Sequence, residues 1–322
     1  MRRFAPRPFT SGGHRQTLLG FWSRRHLEWQ PPTEDVIVEA SGDVRLLLRA
    51  SWQPGPLESR PALVLIHGLG GWDGAKYGLA TGALAWSRGW HVVRMNMRGA
   101  GDSMGLSPVL YNAGLDSDLV LVLDTLARLT PRLAVVGFSL GANLALLALG
   151  RSGDRLPAGL VGVVGVSPPL DLGACATALD APGNALYQLY FMRNLRRAYR
   201  ERQAARPDLY EAGREQGLTT VRSYDEAITA PYGGYRDAAD YYARSSAGPH
   251  LGAIGRPALI LLAQDDPMIP AASVSCWPLP ASRLVTREIT PTGGHVGFVA
   301  PCEAPGSFWA GERAVEFLGA LL

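Results

Sequence analysis

The chain has 322 residues, 47% of them hydrophobic and 18% charged, which allows one large α/β domain or two small ones, and no linker divides it. Its net charge of +3 is small and spread out, with Lys76 the sole lysine, and neither a basic tail nor zinc-finger spacing is present, so nucleic acid is not expected as a partner. The longest apolar runs, such as Leu160–Val166, are far short of a bilayer span, and the basic start Met1–Pro8 leads into no apolar stretch, so neither a signal peptide nor an integral span is expected. Cys175, Cys276 and Cys302 are odd in number and lack metal or redox spacing. They read as free thiols in a reducing compartment, which places the protein in the cytoplasm.

From about residue 34 to 66, strand-like runs alternate with turns: Asp35–Glu39, Arg45–Arg49 and Ala62–Ile66, broken at Ser41-Gly42-Asp43 and Pro54-Gly55-Pro56. From Ile66 the rhythm becomes strand, glycine-rich loop, helix. His91–Asn96 is the next strand, and 116–129 carries apolar positions at helical spacing. Ala134–Phe138 reads as a short buried strand and Leu140–Leu149 as a buried helix. Strands follow at 160–166, 258–263 and about 284–289, and a helix with Phe308, Trp309, Val315, Phe317 and Leu318 closes the chain. An opening antiparallel pair followed by alternating β and α predicts the α/β class, a mostly parallel central sheet with helices on both faces. Residues 171–250 break the rhythm: no strand, many arginines, and the aromatics Tyr187, Tyr190, Phe191, Tyr199, Tyr210 and Tyr224. The expected organisation is a core of 1–170 and 251–322 with a helical cap insertion at 171–250, placed where a cap would cover a pocket, the alternative from position alone being a helical excursion on the surface. The arginines at 193, 196, 197 and 200 read as a solvated helix face, with an anionic headgroup as the alternative they could meet.

The most informative run is Gly137-Phe138-Ser139-Leu140-Gly141. Between a strand and a helix, G-x-S-x-G puts its serine in a sharp turn with the hydroxyl exposed above the sheet, and the glycines remove side chains that would clash with neighbouring backbone. Serine is a poor nucleophile near neutral pH, so it needs a base, an orienting acid and donors for the oxyanion. The base is expected at His295, in the glycine-lined loop Thr292–Phe298 after the last strand, where small neighbours would let the imidazole swing over the serine. His14 and His26 lie before the fold begins, His91 opens a strand, His250 precedes one, and His67 sits in a loop. The acid is expected just past strand 258–263, at Asp266, because Pro267 would fix the turn that aims its carboxylate inward. Asp265 would then cap or solvate that turn, and Asp171 is a third candidate. One oxyanion donor should be the amide of Leu140 at a helix N-terminus, and the other that of Leu69 in His67-Gly68-Leu69-Gly70-Gly71.

Gly68-Leu69-Gly70 and Gly99-Ala100-Gly101 look like starts of dinucleotide fingerprints, but positions 73 and 104 are Asp and Met where a third glycine belongs. Asp102 and Ser103 read as part of a structural loop near the pocket rim. No histidine or carboxylate cluster has metal spacing, so neither a metal nor an organic cofactor is expected.

With these residues assembled, the chain resembles an α/β-hydrolase, and more narrowly the YheT-like (AB-hydrolase 4) branch of bacterial esterases, yeast medium-chain ethyl-ester synthase/esterases and mammalian abhydrolase phospholipases. The resemblance covers nearly the whole chain. Its landmarks are His14–Thr17, His67–Gly71, Arg98–Gly101, Tyr111–Gly114, Gly137–Asn143, Asp237–Tyr242, Asp265–Pro267 and Gly293–Phe298. It implies hydrolysis of short- to medium-chain acyl esters, with acyl transfer to alcohols on the same residues. The partner is then a small-molecule ester or acyl lipid, with room for peripheral membrane contact. Thioesterase and phospholipase activity would use the same triad. The rival from another class is a binding protein on a retired hydrolase fold, which typically lacks one triad residue.

Overall fold

The structure is a computed structural model and describes residues 3–22, 31–40, 42–301 and 308–322. His26 and Cys302 lie outside these residues. In chain order the main elements of the first half are α1 (Gly13–Trp22), β1 (Glu34–Glu39), β2 (Arg45–Ser51), β3 (Ala62–Ile66), α2 (Lys76–Ser87), β4 (His91–Met95), α3 (Asp116–Ala127), β5 (Leu133–Phe138) and α4 (Leu140–Ser152). The second half brings β6 (Leu160–Val166), α5 (Leu172–Leu179), α6 (Ala185–Ala205), α7 (Val221–Tyr224), a π-turn at Asp225–Thr229, α8 (Ala230–Gly233) and α9 (Ala238–Ser245). It closes with β7 (Ala258–Ala263), α10 (Ala271–Ser275), β8 (Val285–Thr290) and α11 (Trp309–Gly319).

Among the described residues the strands form one eight-stranded sheet in the order β1-β2-β4-β3-β5-β6-β7-β8. The β1–β2 and β2–β4 pairs are antiparallel and every other pair is parallel. This is the expected class: the Val/Leu/Ile runs of β3, β5 and β7 are buried at every position, as strands covered on both faces must be. Side chains alternate between two cores. Val64, Ile66, Val135 and Ile260 face α3 and α4, while Leu63, Leu65, Val136 and Leu261 face α2 and α11.

After β3 the chain pairs β4 on one side and β5 on the other. Strand order reverses there, and the loops leaving the carboxyl ends of β3 and β5 open a crevice between them. Between β6 and β7, residues of α5, α6, α7, the π-turn and α9 line the same cavity as Ser139.

α1 is a departure from the expectation that the fold starts later. Its buried face is Gln16, Thr17 and Gly20, polar or side-chain-free positions that carry no hydrophobic period.

Candidate active site

Ser139 stands between β5 and α4 at φ 52° and ψ −119°, a left-handed backbone that costs a non-glycine residue. The strain is held by crowding. A Cβ at position 137 would lie 2.3 Å from the Gly141 carbonyl oxygen, and one at 141 would lie 2.5 Å from that of His67. The Ser139 amide donates to Val166 O at 2.9 Å, and its carbonyl accepts from Ala142 and Asn143 at 2.9 and 3.1 Å.

The structure brings Ser139, His295 and Asp266 into one line. His295 Nε2 is 2.8 Å from Ser139 Oγ, and His295 Nδ1 is 2.9 Å from Asp266 Oδ2. The Asp266 carboxylate is fully buried, and its other oxygen accepts the amides of Met268 and Ile269 at 2.9 and 3.0 Å. With both donors present, this oxygen pair needs no solvent to carry its charge.

Asp265 does not cap or solvate its own turn. It reaches across to the histidine loop, where Oδ1 accepts the Gly294 amide at 3.0 Å and Oδ2 the Thr292 hydroxyl at 2.5 Å. Asp171 caps α5 through the Ala174 amide at 2.9 Å. Adjacent aspartates thus hold one loop twice, once by its imidazole and once by its backbone.

Sequence reading missed two further anchors of that loop. Thr17 Oγ1 accepts the His295 amide at 2.8 Å, and Ser167 Oγ accepts that of Val296 at 3.1 Å. The glycines beside His295 let the loop pack closely on α1. A Cβ at 294 would sit 2.4 Å from Gly13 O, and one at 297 would sit 2.6 Å from Gln16 O. His14, far from lying outside the fold, stacks on Tyr187 of α6 and meets its hydroxyl at 3.1 Å. The only advance signal was the His14–Thr17 landmark itself.

Leu69 and Leu140 both line the cavity that contains Ser139 and His295. Leu140 opens α4, so its amide has no acceptor within the helix. The loop holding Leu69 lies against the serine: a Cβ on Gly68 would come 3.0 Å from Ser139 Cβ. His67 is buried, its imidazole pulled down to about 4 by that burial and so neutral. Its Nε2 accepts the Met97 amide at 3.2 Å, which leaves the proton on Nδ1 to donate to Gly68 O at 2.8 Å. Gly71 N–H donates to the same oxygen at 3.0 Å. The C=O and N–H of a trans peptide point opposite ways, so fixing the Gly68 carbonyl turns the Leu69 N–H away from His67.

The cavity runs from Ser139 under α5 and α6. Leu110, Leu172, Leu179, Phe191, Leu195 and Ile269 give it apolar walls, and Asn112, Arg202, Asp225, Tyr241 and Tyr242 add polar groups. Burial raises the Asp225 carboxyl to about 6, and the Tyr242 hydroxyl donates to it at 2.8 Å. Arg202, 3% exposed, ties α6 to the core by donating to the carbonyls of Arg98, Ser107 and Val109. Of the aromatics noted in this stretch, Phe191 and Tyr224 line the cavity, whereas Tyr199 and Tyr210 pack against each other. Arg197 and Arg200 pair with Glu201 and Glu215, in keeping with a solvated face, whereas the half-buried Arg196 departs from it and donates to the Leu218 carbonyl.

A nucleophile-elbow turn at the switch point of such a sheet defines an α/β-hydrolase. The alpha/beta hydrolase fold family matches residues 61–300, and the chain belongs to it, within its YheT-like branch. The chain is 31% identical to the "Putative esterase YheT" of Escherichia coli K12 over 98% of its own length and 92% of that protein's. It is 28% identical to a monoacylglycerol lipase of Saccharomyces cerevisiae, over 81% of this chain and 59% of the yeast protein. It is 29% identical to the mouse phospholipase ABHD3, over 75% of this chain and 59% of that protein. Among solved structures, 2,6-dihydroxy-pseudo-oxynicotine hydrolase shares the fold at a TM-score of 0.61 and 17% identity, covering 91% of this chain and 69% of the other. Membership in this family makes the protein an ester-hydrolysing enzyme of the esterase/lipase type. Among the described residues no helix is long and apolar enough to cross a membrane.

Proposed function

We propose that the protein is a serine carboxylesterase acting on short- to medium-chain acyl esters through an acyl-enzyme. The observation that carries this reading is the unbroken Asp266–His295–Ser139 line, with gaps of 2.9 and 2.8 Å, opening into an apolar cavity. Ser139 Oγ attacks the ester carbonyl while His295 Nε2 takes its proton. The developing oxyanion is met by the amides of Leu69 and Leu140. Collapse of the tetrahedral intermediate expels the alcohol, which receives the proton from His295. Water, deprotonated by the same imidazole, then attacks the acyl-serine and frees the acid. Asp266 stays ionised throughout, fixing the tautomer and stabilising the imidazolium.

The helices of 171–250 act as the cap, and the acyl chain lies along Leu172, Leu179 and Leu195. The substrate is a small-molecule ester or acyl lipid, and every proton in the cycle is carried by side chains and water. A fluorophosphonate probe should label the wild type and leave Ser139→Ala unlabelled, with hydrolysis falling about 10⁶-fold in that variant. Folded wild-type protein that takes no label would refute the reading. Rates on p-nitrophenyl esters of increasing acyl length should peak at short to medium chains.

A further inference from the structure

We propose that Tyr77 and Tyr111 are positioning residues for the oxyanion site, their hydroxyls gripping the amides on either side of Leu69. This rests on the reading of Ser139 as nucleophile and of the Leu69 amide as an oxyanion donor.

The loop 67–71 is rich in glycine, and the bonds of its own residues fix the Gly68 carbonyl but not the Gly68 and Gly70 amides. Gly71 N–H donates back to Gly68 O, and Gly70 sits at φ +67°, so Leu69 and Gly70 occupy the central positions of a type II turn. Within this turn the Gly68 amide donates to the Tyr77 hydroxyl at 2.9 Å and the Gly70 amide to the Tyr111 hydroxyl at 2.8 Å. With Gly71 N–H also engaged, the amide between the two grips is the one turned to the cavity. Neither tyrosine comes from the loop itself. Tyr77 lies on α2 outside the cavity, with its ring 4.5 Å from that of Phe138, the residue before the nucleophile. Tyr111 lies on the cavity wall ahead of α3, edge-on to His67 at 6.1 Å. One grip therefore registers the turn against the elbow strand, and the other registers it against the pocket.

A phenyl ring in place of either phenol keeps the packing and removes the acceptor. The buried Gly68 amide is then left without its acceptor and the exposed Gly70 amide passes to solvent, so the turn loses a fixed neighbour on one side of Leu69 and its N–H is free to tilt off the oxyanion. Losing an oxyanion donor outright costs about 10²–10³ in kcat, so each grip should account for part of that.

The test uses Tyr77→Phe, Tyr111→Phe and the double variant, with p-nitrophenyl butyrate as substrate and an alkyl trifluoromethyl ketone as inhibitor. The ketone forms a hemiketal on Ser139 whose oxyanion occupies the site in question. Each single variant should lose about tenfold in kcat with KM within about twofold, and the double variant about 10². Ketone affinity should weaken by the same factors while butyrate affinity holds. Measuring the ratio of ketone to butyrate affinity on the folded fraction keeps the test sound for a variant that melts early. Unchanged kcat and ketone affinity, or a rise in KM alone, overturn the proposal. So does an effect confined to Tyr111→Phe, which would mean direct contact with substrate. Wild-type protein that binds no ketone and takes no fluorophosphonate refutes the nucleophile reading itself. Labelled wild type with unaltered variants refutes only the tyrosine grips.

Discussion

Ser139 and His295 both sit in glycine-flanked turns at the carboxyl ends of strands, yet the two turns are held in opposite ways. Around Ser139 the contacts within the motif are local, Gly137 against Gly141 and the Ser139 carbonyl accepting from Ala142 and Asn143, and they add to the distant ones from Val166 and His67. Around His295 they come from afar. Thr17 is 278 residues away, Ser167 is 129 from Val296, Asp265 is 27 and 29 from the two groups it holds, and Asp266 is 29 from His295. A turn fixed locally announces itself as a motif, because its steric demands are written in adjacent letters. A turn fixed by distant partners shows only its own small residues, which by themselves do not reveal what holds them.

The largest effect that would sharpen this contrast lies in the pair Asp265 and Asp266. Asp266→Asn removes the charge on His295 Nδ1 and should lower kcat by about 10⁴. Asp265→Asn should lower it only about tenfold, because it weakens the backbone of the loop and leaves the imidazole's partner in place. Steady-state kinetics on p-nitrophenyl butyrate decide it. Equal losses would mean that one aspartate cannot be separated from the other, and that the loop is held as a unit.

A control lies in the insertion, where Asp225 belongs to neither turn. Its carboxyl titrates near 6 when folded, against an ordinary value of 3.8. Between these values the folded chain keeps a proton that the unfolded chain has released, so stability falls as pH rises from about 4 to 6 and the full cost stands above that. Asp225→Asn carries no such cost. Relative to the wild type it should gain about 2 kcal/mol in urea-melt stability at pH 8 compared with pH 4.5. A difference that does not change with pH would show that the carboxyl is not desolvated as drawn.

Much of the site was legible because its chemistry demands rare residues at fixed structural stations. An elbow serine, a histidine after the last strand and an aspartate after the strand before it can be read in chain order, as can the alternation that builds the sheet. What was not legible carries no periodic signal. α1 buries Gln16, Thr17 and Gly20, which look like surface in a linear reading. Tyr77 carries no signal in the sequence and Tyr111 stands out only within the Tyr111–Gly114 landmark, because their hydroxyls matter only once the fold lays glycine amides beside them. Asp265 looked redundant beside Asp266 because the groups it reaches arrive with the next strand's loop.

The smallest effect is the most direct trial of distant anchoring. Thr17→Val keeps the shape of the side chain and removes the oxygen that accepts the His295 amide and donates to Gly13 O at 2.7 Å. The amide is left without its acceptor in a half-buried place, so the variant should lose about 1–2 kcal/mol of stability. The loop would still be held by Asp265, Asp266 and Ser167, so kcat should fall only about three- to fivefold, with KM unchanged. The informative comparison is the double variant with Asp265→Asn. Two anchors of one loop should couple, giving a loss in kcat larger than the product of the single losses. Strict additivity would mean that the histidine turn carries its own shape after all, and the contrast with the elbow would fail.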